Sequence, residues 1–255
     1  MGIASLRRLG AILLRNRSRA RAAAPGMPAV RPSGKMPTMK VILFGATGMV
    51  GMGALREALA DPDVEAVLGI SRRPSGVEHP KLRELLLADL FDFAAVEPQL
   101  VGYDACIWAI GISSVGLDEA AYAKVTEELT LVWARALLRL NPSFSFCYCS
   151  GAGAGGSAMW ARVRQRVEGP LQAMPFRYKG CVRPGLIEPG PGITSRVKLY
   201  QAGIVLMRPL FPLIVKSFPG FATTSERLGR AMLRVVQGRA DKYILESADI
   251  NRIGA

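Results

Sequence analysis

The sequence predicts one doubly wound α/β domain: a parallel sheet with helices on both faces and a small C-terminal elaboration over residues 186–255. Two observations predict it. From Lys40 onward, short apolar runs alternate with helical patterns, as when parallel strands are joined by crossover helices. The first run, Val41-Ile-Leu-Phe44, passes directly into glycines at 45, 48 and 51, and a helical pattern follows them. A chain of 255 residues that is 50% apolar can bury one large core, which excludes disordered and collagen-like classes.

Taken in order, strands are expected over residues 41–44, 66–70, 85–88, 104–109, 144–149 and 176–182. They are mostly continuous apolar runs, the pattern of strands buried on both faces. Helices are expected over 49–60, 93–99, 119–140 and 157–174. In the third, Val125, Leu129, Val132, Ala136 and Leu140 form one apolar stripe at spacings of four and three. Beyond Gly185 the chain turns through Pro189-Gly-Pro-Gly192. Thr223, three residues before Glu226, is a capping box that starts a last helix, and residues 243–245 form a late strand at the sheet edge.

The net charge of +13 is unevenly spread. Residues 1–40 hold nine basic residues and no acid, and the remainder has 24 basic against 20 acidic residues. The excess sits in a tail and not on a folded face, so nucleic acid is not an expected partner. Residues 1–38 read as a disordered or targeting extension, or as an over-long start ahead of Met36 or Met39. The apolar run 199–215 contains Gln201, Arg208, Pro209 and Pro212 and falls short of the about 20 residues a membrane span needs. Cys106, Cys147, Cys149 and Cys181 lie in apolar runs without a C-x-x-C pair. They read as buried free thiols of a reducing compartment: the cytoplasm, or an organelle if the extension is a transit segment. His79, the only histidine, precedes a proline in a polar loop and reads as a surface residue; no metal site is expected.

The motif with chemistry is Gly45-Ala46-Thr47-Gly48-Met49-Val50-Gly51. Gly45 permits a tight turn out of the strand, Gly48 lets backbone approach a pyrophosphate, and Gly51 lets the helix lie close to the strand. The helix N-terminus adds unpaired N–H groups and a partial positive charge. Strand before, helix after and a second strand at the expected distance make this a dinucleotide-binding loop. The second strand ends Ser71-Arg72-Arg73 with no acid between Val67 and Val77. An acid there would hold a ribose 2′-hydroxyl, whereas arginine accommodates a 2′-phosphate, so NADP(H) is expected in preference to NAD(H). Asp89 and Leu90 follow the third strand, where an adenine edge is within reach. Ala109-Ile110-Gly111 closes the fourth with small residues that admit a cofactor.

These segments, with Tyr148-Cys-Ser-Gly-Ala152 and Arg183-Pro184-Gly185, resemble the short-chain dehydrogenase/reductase superfamily over roughly residues 40–250. Within it the chain looks most like the atypical NAD(P)H-binding proteins related to the Tat-interacting tumour-suppressor protein and to epimerase-like bacterial proteins. The resemblance implies a Rossmann domain with the cofactor across the strand ends, Gly45 to Val50 at the pyrophosphate, and Arg183, Pro184 and Gly185 near the nicotinamide. It also implies a serine-like position at Ser150 and a Tyr-x-x-x-Lys pair in the following helix. Here that pair aligns with Trp160 and Arg164. An indole N–H does not titrate, and a guanidinium keeps its proton near neutral pH. Ser150 and Arg164 are the candidate catalytic residues. A missing proton donor is to be sought at Tyr122, Tyr200 or a water; Tyr148 and Tyr178 lack spacing support.

Three readings follow. The chain is an NADP-dependent oxidoreductase or epimerase-like enzyme on a carbonyl or hydroxyl substrate, covered by residues 186–220. Alternatively it binds NADPH without turnover, as a regulatory or assembly protein. The third reading is a membrane-peripheral protein that uses residues 204–218, Phe211 and Leu213 among them, as an apolar surface.

Overall fold

Val41, Ile42, Leu43 and Phe44 are wholly buried, and a strand with no exposed face belongs in the middle of a sheet covered on both sides. The computed structural model describes residues 38–192, 217–218 and 220–255 and puts β1 (Met39–Phe44) there. β1 pairs in parallel with β2 (Val64–Ser71) on one side and β4 (Ala105–Trp108) on the other. Beyond β2 lies β3 (Leu82–Leu86). Beyond β4 lie β5 (Ser145–Cys149), β6 (Lys179–Arg183) and finally β9 (Ile244–Glu246). The order β3-β2-β1-β4-β5-β6-β9 is parallel throughout. The chain therefore switches direction between β1 and β4, and a crevice opens where their C-terminal ends part.

Alternation along the strands builds two cores. Val41, Leu43, Ala105 and Ile107 face α1 (Met49–Ala60) and α5 (Ser225–Val236). Ile42, Phe44, Cys106 and Trp108 face α3 (Leu129–Leu140) and α4 (Met159–Ala173). The second core is aromatic: Phe44 lies 4.4 Å from Trp108 and 4.7 Å from Trp133 between ring centroids. On the other face α1 and α5 touch through glycines, since a Cβ at Gly229 would stand 2.8 Å from the Gly53 carbonyl.

Several boundaries depart from expectation for physical reasons. The expected helix 119–140 is α2 (Glu119–Ala123), a π turn (Lys124–Glu128) and α3 in succession. The wider turn rotates the stripe, so Leu129, Trp133 and Leu137 are the buried ridge, while Val125, Val132 and Leu140 are only partly covered. The expected helix 93–99 is a 3₁₀ segment (Ala94–Leu100) with Pro98 inside it. β3 begins three residues before its expected start, because as an edge strand it is half-exposed and lacks a continuous apolar run.

The described residues beyond Gly185 take part in the main fold. β7 (Leu186–Glu188) and β8 (Ala222–Thr224) form a separate two-stranded parallel sheet, while α5 and β9 complete the main layers. The cap of α5 is Thr224, whose Oγ1 accepts from the Arg227 amide at 3.2 Å. Thr223, the residue expected there, is fully buried and donates to Asn251 Oδ1 at 2.8 Å. A terminal helix, α6 (Ser247–Ile253), follows, closed by reciprocal bonds between Glu246 and Asp249. All four cysteines are free and buried; burial pushes their thiols up, that of Cys149 to about 11, which leaves them poor nucleophiles. Among the described residues no helix is long and apolar enough to cross a membrane. Residues 1–37, the run 199–215, Tyr200, Phe211 and Leu213 lie outside the described residues.

Candidate functional site

The glycine loop is fixed by contacts that only glycine permits. Gly45 has φ +83°, and a Cβ there would meet the Ala109 carbonyl oxygen at 2.5 Å. The Gly48 amide donates to the Gly45 carbonyl at 2.9 Å and closes the turn. α1 begins at Met49 with Gly48 as its N-cap, without side-chain capping and without an acid in its first turn. The amides of Met49, Val50 and Gly51 therefore precede the first intrahelical bond, which Met52 makes to Gly48. A Cβ at Gly51 would fall 2.0 Å from the Gly45 carbonyl oxygen, so the helix lies directly on the loop.

This loop forms one wall of a groove of about 330 Å³ at the ends of β1, β2 and β4. Gly45, Thr47 and Gly48 come from the loop, Ser71 and Arg72 from the end of β2. Asp89, Leu90 and Phe91 form the far wall, and Ala109, Ile110 and Gly111 continue from β4. Ile70 and Leu129 add apolar lining, as does Val125 from the π turn. Ten of the residues picked out from sequence thus come together here. Arg73 lies outside the lining, and its carbonyl accepts the Ser71 hydroxyl at 2.5 Å. Asp89 Oδ1 accepts the Phe91 amide at 2.9 Å, and Leu90 O accepts the Trp133 indole N–H at 2.8 Å; together these bonds fix the far wall. Ala46 is buried in the core and supports the loop from beneath.

A second cavity of about 410 Å³ shares Ile112 with the groove. Trp160 and Arg164 line it from α4, Pro184 and Gly185 from the turn after β6, and Tyr122 from α2. Arg164 joins the two spaces: its Nη2 lies 3.6 Å from where a Cβ on Gly111 would be. Its Nε donates to the Tyr122 hydroxyl at 3.1 Å and its Nη1 to the Cys149 carbonyl at 3.2 Å. Burial works against the guanidinium charge, but Tyr148, Tyr122 and Cys149 outweigh it and set its pKa above the ordinary value.

Solved structures show the fold, although no protein-family model and no curated protein matches the sequence. The chain is similar to a short-chain dehydrogenase family protein of Francisella tularensis, at 12% identity and TM-score 0.60, over 85% of this chain and 95% of that one. It is similar to a Burkholderia thailandensis oxidoreductase of the short-chain dehydrogenase/reductase family, at 16% identity and TM-score 0.60, over 83% and 91%. The Bordetella bronchiseptica enzyme WbmF, solved with NAD+, is similar at 15% identity and TM-score 0.62, over 86% and 78%. The chain has the short-chain dehydrogenase/reductase fold.

In this short-chain dehydrogenase/reductase fold the remaining expected residues separate. Ser150 Oγ is buried without a hydrogen-bond partner and lines neither space, while its amide donates to Val182 O at 2.8 Å. Arg183 is used structurally: it holds Glu168, which is 4% exposed, through Nε at 3.0 Å and Nη2 at 2.5 Å, and reaches Glu246 at 3.2 Å. Those carboxylates raise its pKa, and it does not line the cavity. Tyr148 points into the aromatic core, where burial pushes its phenol far up; Tyr178 is exposed beneath Arg177. Tyr122 carries no local spacing signal in the sequence, because its partner Arg164 lies 42 residues away.

Proposed function

We propose that the chain binds NADP(H) and acts as an oxidoreductase or epimerase-like enzyme on a small carbonyl or hydroxyl substrate. The observation that carries this reading is the groove itself, where a glycine turn, an uncapped helix N-terminus and Arg72 meet at the topological switch point. The fit to a dinucleotide rests on that cradle. A Cβ at Gly48 would meet no protein atom closer than 3.4 Å, so the glycine leaves space in the groove and is not needed for packing. Gly45, Thr47 and Gly48 with the first turn of α1 would hold the pyrophosphate, Ser71 and Arg72 the 2′-phosphate, and Asp89 with Leu90 the adenine side. Ala109, Ile110 and Gly111 would pass beneath the nicotinamide half, with Pro184 and Gly185 beyond it. The bound nicotinamide supplies hydride chemistry. The protein's part is to orient the substrate in the second cavity and manage its proton.

Two similar solved structures, WbmF with NAD+ and MoeE5 with UDP-glucose and NAD, support the dinucleotide. Arg72 supports the phosphorylated form. Trp160 at the expected acid position supports a second reading, in which NADPH is bound without turnover.

The specificity part of this reading predicts a difference between two neighbouring arginines. Arg72→Ala should weaken NADPH about tenfold or more and leave NADH nearly unchanged, since one charge-assisted hydrogen bond contributes about 1.5–3 kcal/mol. Arg73→Ala should change neither appreciably, because its side chain is outside the groove lining. Titration of each variant with both nucleotides checks this. Equal losses for NADPH and NADH in Arg72→Ala would remove the 2′-phosphate assignment.

A further inference from the structure

We propose that Tyr122 is the proton donor and acceptor of the reaction and that Arg164 positions it, an inference that rests on the dinucleotide chemistry proposed above. The observation is the meeting of the Tyr122 phenol and the Arg164 guanidinium, at 3.1 Å, on the wall of a cavity that adjoins the dinucleotide groove. The direction of that bond matters. Arg164 Nε donates and the phenol oxygen accepts, so the Tyr122 hydrogen stays free, with no acceptor among the described residues. The other candidates fail on placement: Trp160 does not titrate, and Tyr148 and Ser150 line neither space, whereas Tyr122, itself only 1% exposed, lines the second cavity.

The fold holds Tyr122 in this position. Asp118 caps α2 by accepting the Ala121 amide at 2.7 Å. Glu119, one turn before the π segment, bonds Arg166 at 2.8 Å and Arg162 at 3.1 Å on α4, and these arginines hold its carboxyl below the usual range. Glu127 bonds Arg166 at 2.8 Å from within the π turn. A π turn widens a helix by one residue and recurs at functional sites. Here it follows directly after the residues that bring Tyr122 to α4, and the acid has in effect moved from α4 to the neighbouring helix while its cationic partner stayed on α4.

In the reductive direction the substrate carbonyl carbon gains a hydride whose source is the reduced dinucleotide. The Tyr122 O–H bond breaks, the substrate O–H bond forms, and the negative charge passes to the Tyr122 oxygen, toward which the Arg164 N–H already points. Solvent in the cavity then reprotonates the phenolate. In the oxidative direction the phenolate takes the substrate's hydroxyl proton as hydride leaves the carbon for the oxidised dinucleotide.

The test uses the full chain and two readouts. In single-turnover oxidation of bound NADPH by a panel of aliphatic and aromatic aldehydes and ketones, Tyr122→Phe should lose about a hundredfold or more in rate, the scale of a positioned general acid. Its thermal stabilisation by NADPH should match wild type. Arg164→Lys should retain most of the rate and Arg164→Met should fall with Tyr122→Phe. Independently of turnover, ¹⁹F NMR of 3-fluorotyrosine-labelled protein should show one resonance, absent in Tyr122→Phe, that moves when trifluoroethanol is added to the NADP+ complex. Wild-type rate in Tyr122→Phe, a Tyr122 resonance that does not move, or a wild-type chain that binds NADPH yet reduces no panel member would each overturn the proposal. Failure of wild type to bind NADPH would instead overturn the reading of the groove, and this proposal with it.

Discussion

Gly48→Val is expected to leave the chain folded and to reduce dinucleotide affinity about a hundredfold or more, about 2.7 kcal/mol. The two halves of that result have separate causes. Gly48 has φ −99° and ψ 167°, an extended conformation open to any residue, and an added Cβ approaches only the Gly45 carbonyl oxygen, at 3.4 Å. Valine is a poor N-cap, so stability should fall by about 1 kcal/mol and no more. The same position lines the groove beside Gly45 and Thr47, where the proposed dinucleotide would bring its pyrophosphate close to the loop backbone. A branched side chain takes that space and screens the amides at the start of α1. Nucleotide titration with unfolding of the free protein measured alongside separates the two effects. Undiminished affinity would show that the loop does not hold phosphate.

Gly51→Ala should give the opposite pattern, a loss of stability of about 3 kcal/mol, because it overfills a site that cannot relax. The methyl carbon would stand 2.0 Å from the Gly45 carbonyl oxygen and 2.9 Å from the Ala46 amide. Backing α1 away is blocked on its far side, where a Cβ at Gly53 would already meet the Ser225 carbonyl at 2.5 Å. The loop cannot yield either, since Gly45 is pressed against Ala109. Gly169→Ala is the matched control. Gly169 sits inside α4 with no atom beyond its chain neighbours within 4 Å of an added Cβ; the helix propensity gained by alanine is offset by crowding against Pro170, so stability should change by less than about 1 kcal/mol. Equilibrium unfolding of the two variants decides the matter. A Gly51→Ala protein as stable as wild type would contradict the close helix-on-loop packing.

What could be read from sequence was what depends on neighbouring residues. β1 and α1 follow from an unbroken apolar run, three glycines and a helical pattern, and α1 was found over Met49–Ala60 as expected. The groove was legible for the same reason: its walls are the residues just past four strand ends, each marked by small or polar residues after an apolar run. β7 and β8 were not legible, because each has three residues and pairs with a partner more than thirty positions away. Thr223 and Thr224 satisfy nearly the same capping pattern, and the choice was made by Asn251, which takes the Thr223 hydroxyl from the terminal helix. Arg183 beside Pro184 suggested a cofactor contact; Glu168, buried on α4, engages it instead. The second cavity is assembled from α2, α4 and the turn after β6, three segments with no common periodicity, so the Tyr122–Arg164 pair emerged only once they were folded together.

Thermal unfolding of the full chain with NADPH, with NADH and with neither tests the central claim most directly. A ligand that binds only the native state stabilises it by about 2.7 kcal/mol at a hundredfold excess over its dissociation constant, which for a domain of this size is a rise of roughly 5–10 °C. The groove and Arg72 predict that rise with NADPH and a markedly smaller one with NADH at equal concentration. No rise with either nucleotide would contradict the account, leaving the glycine loop as a turn that only packs a helix against a sheet.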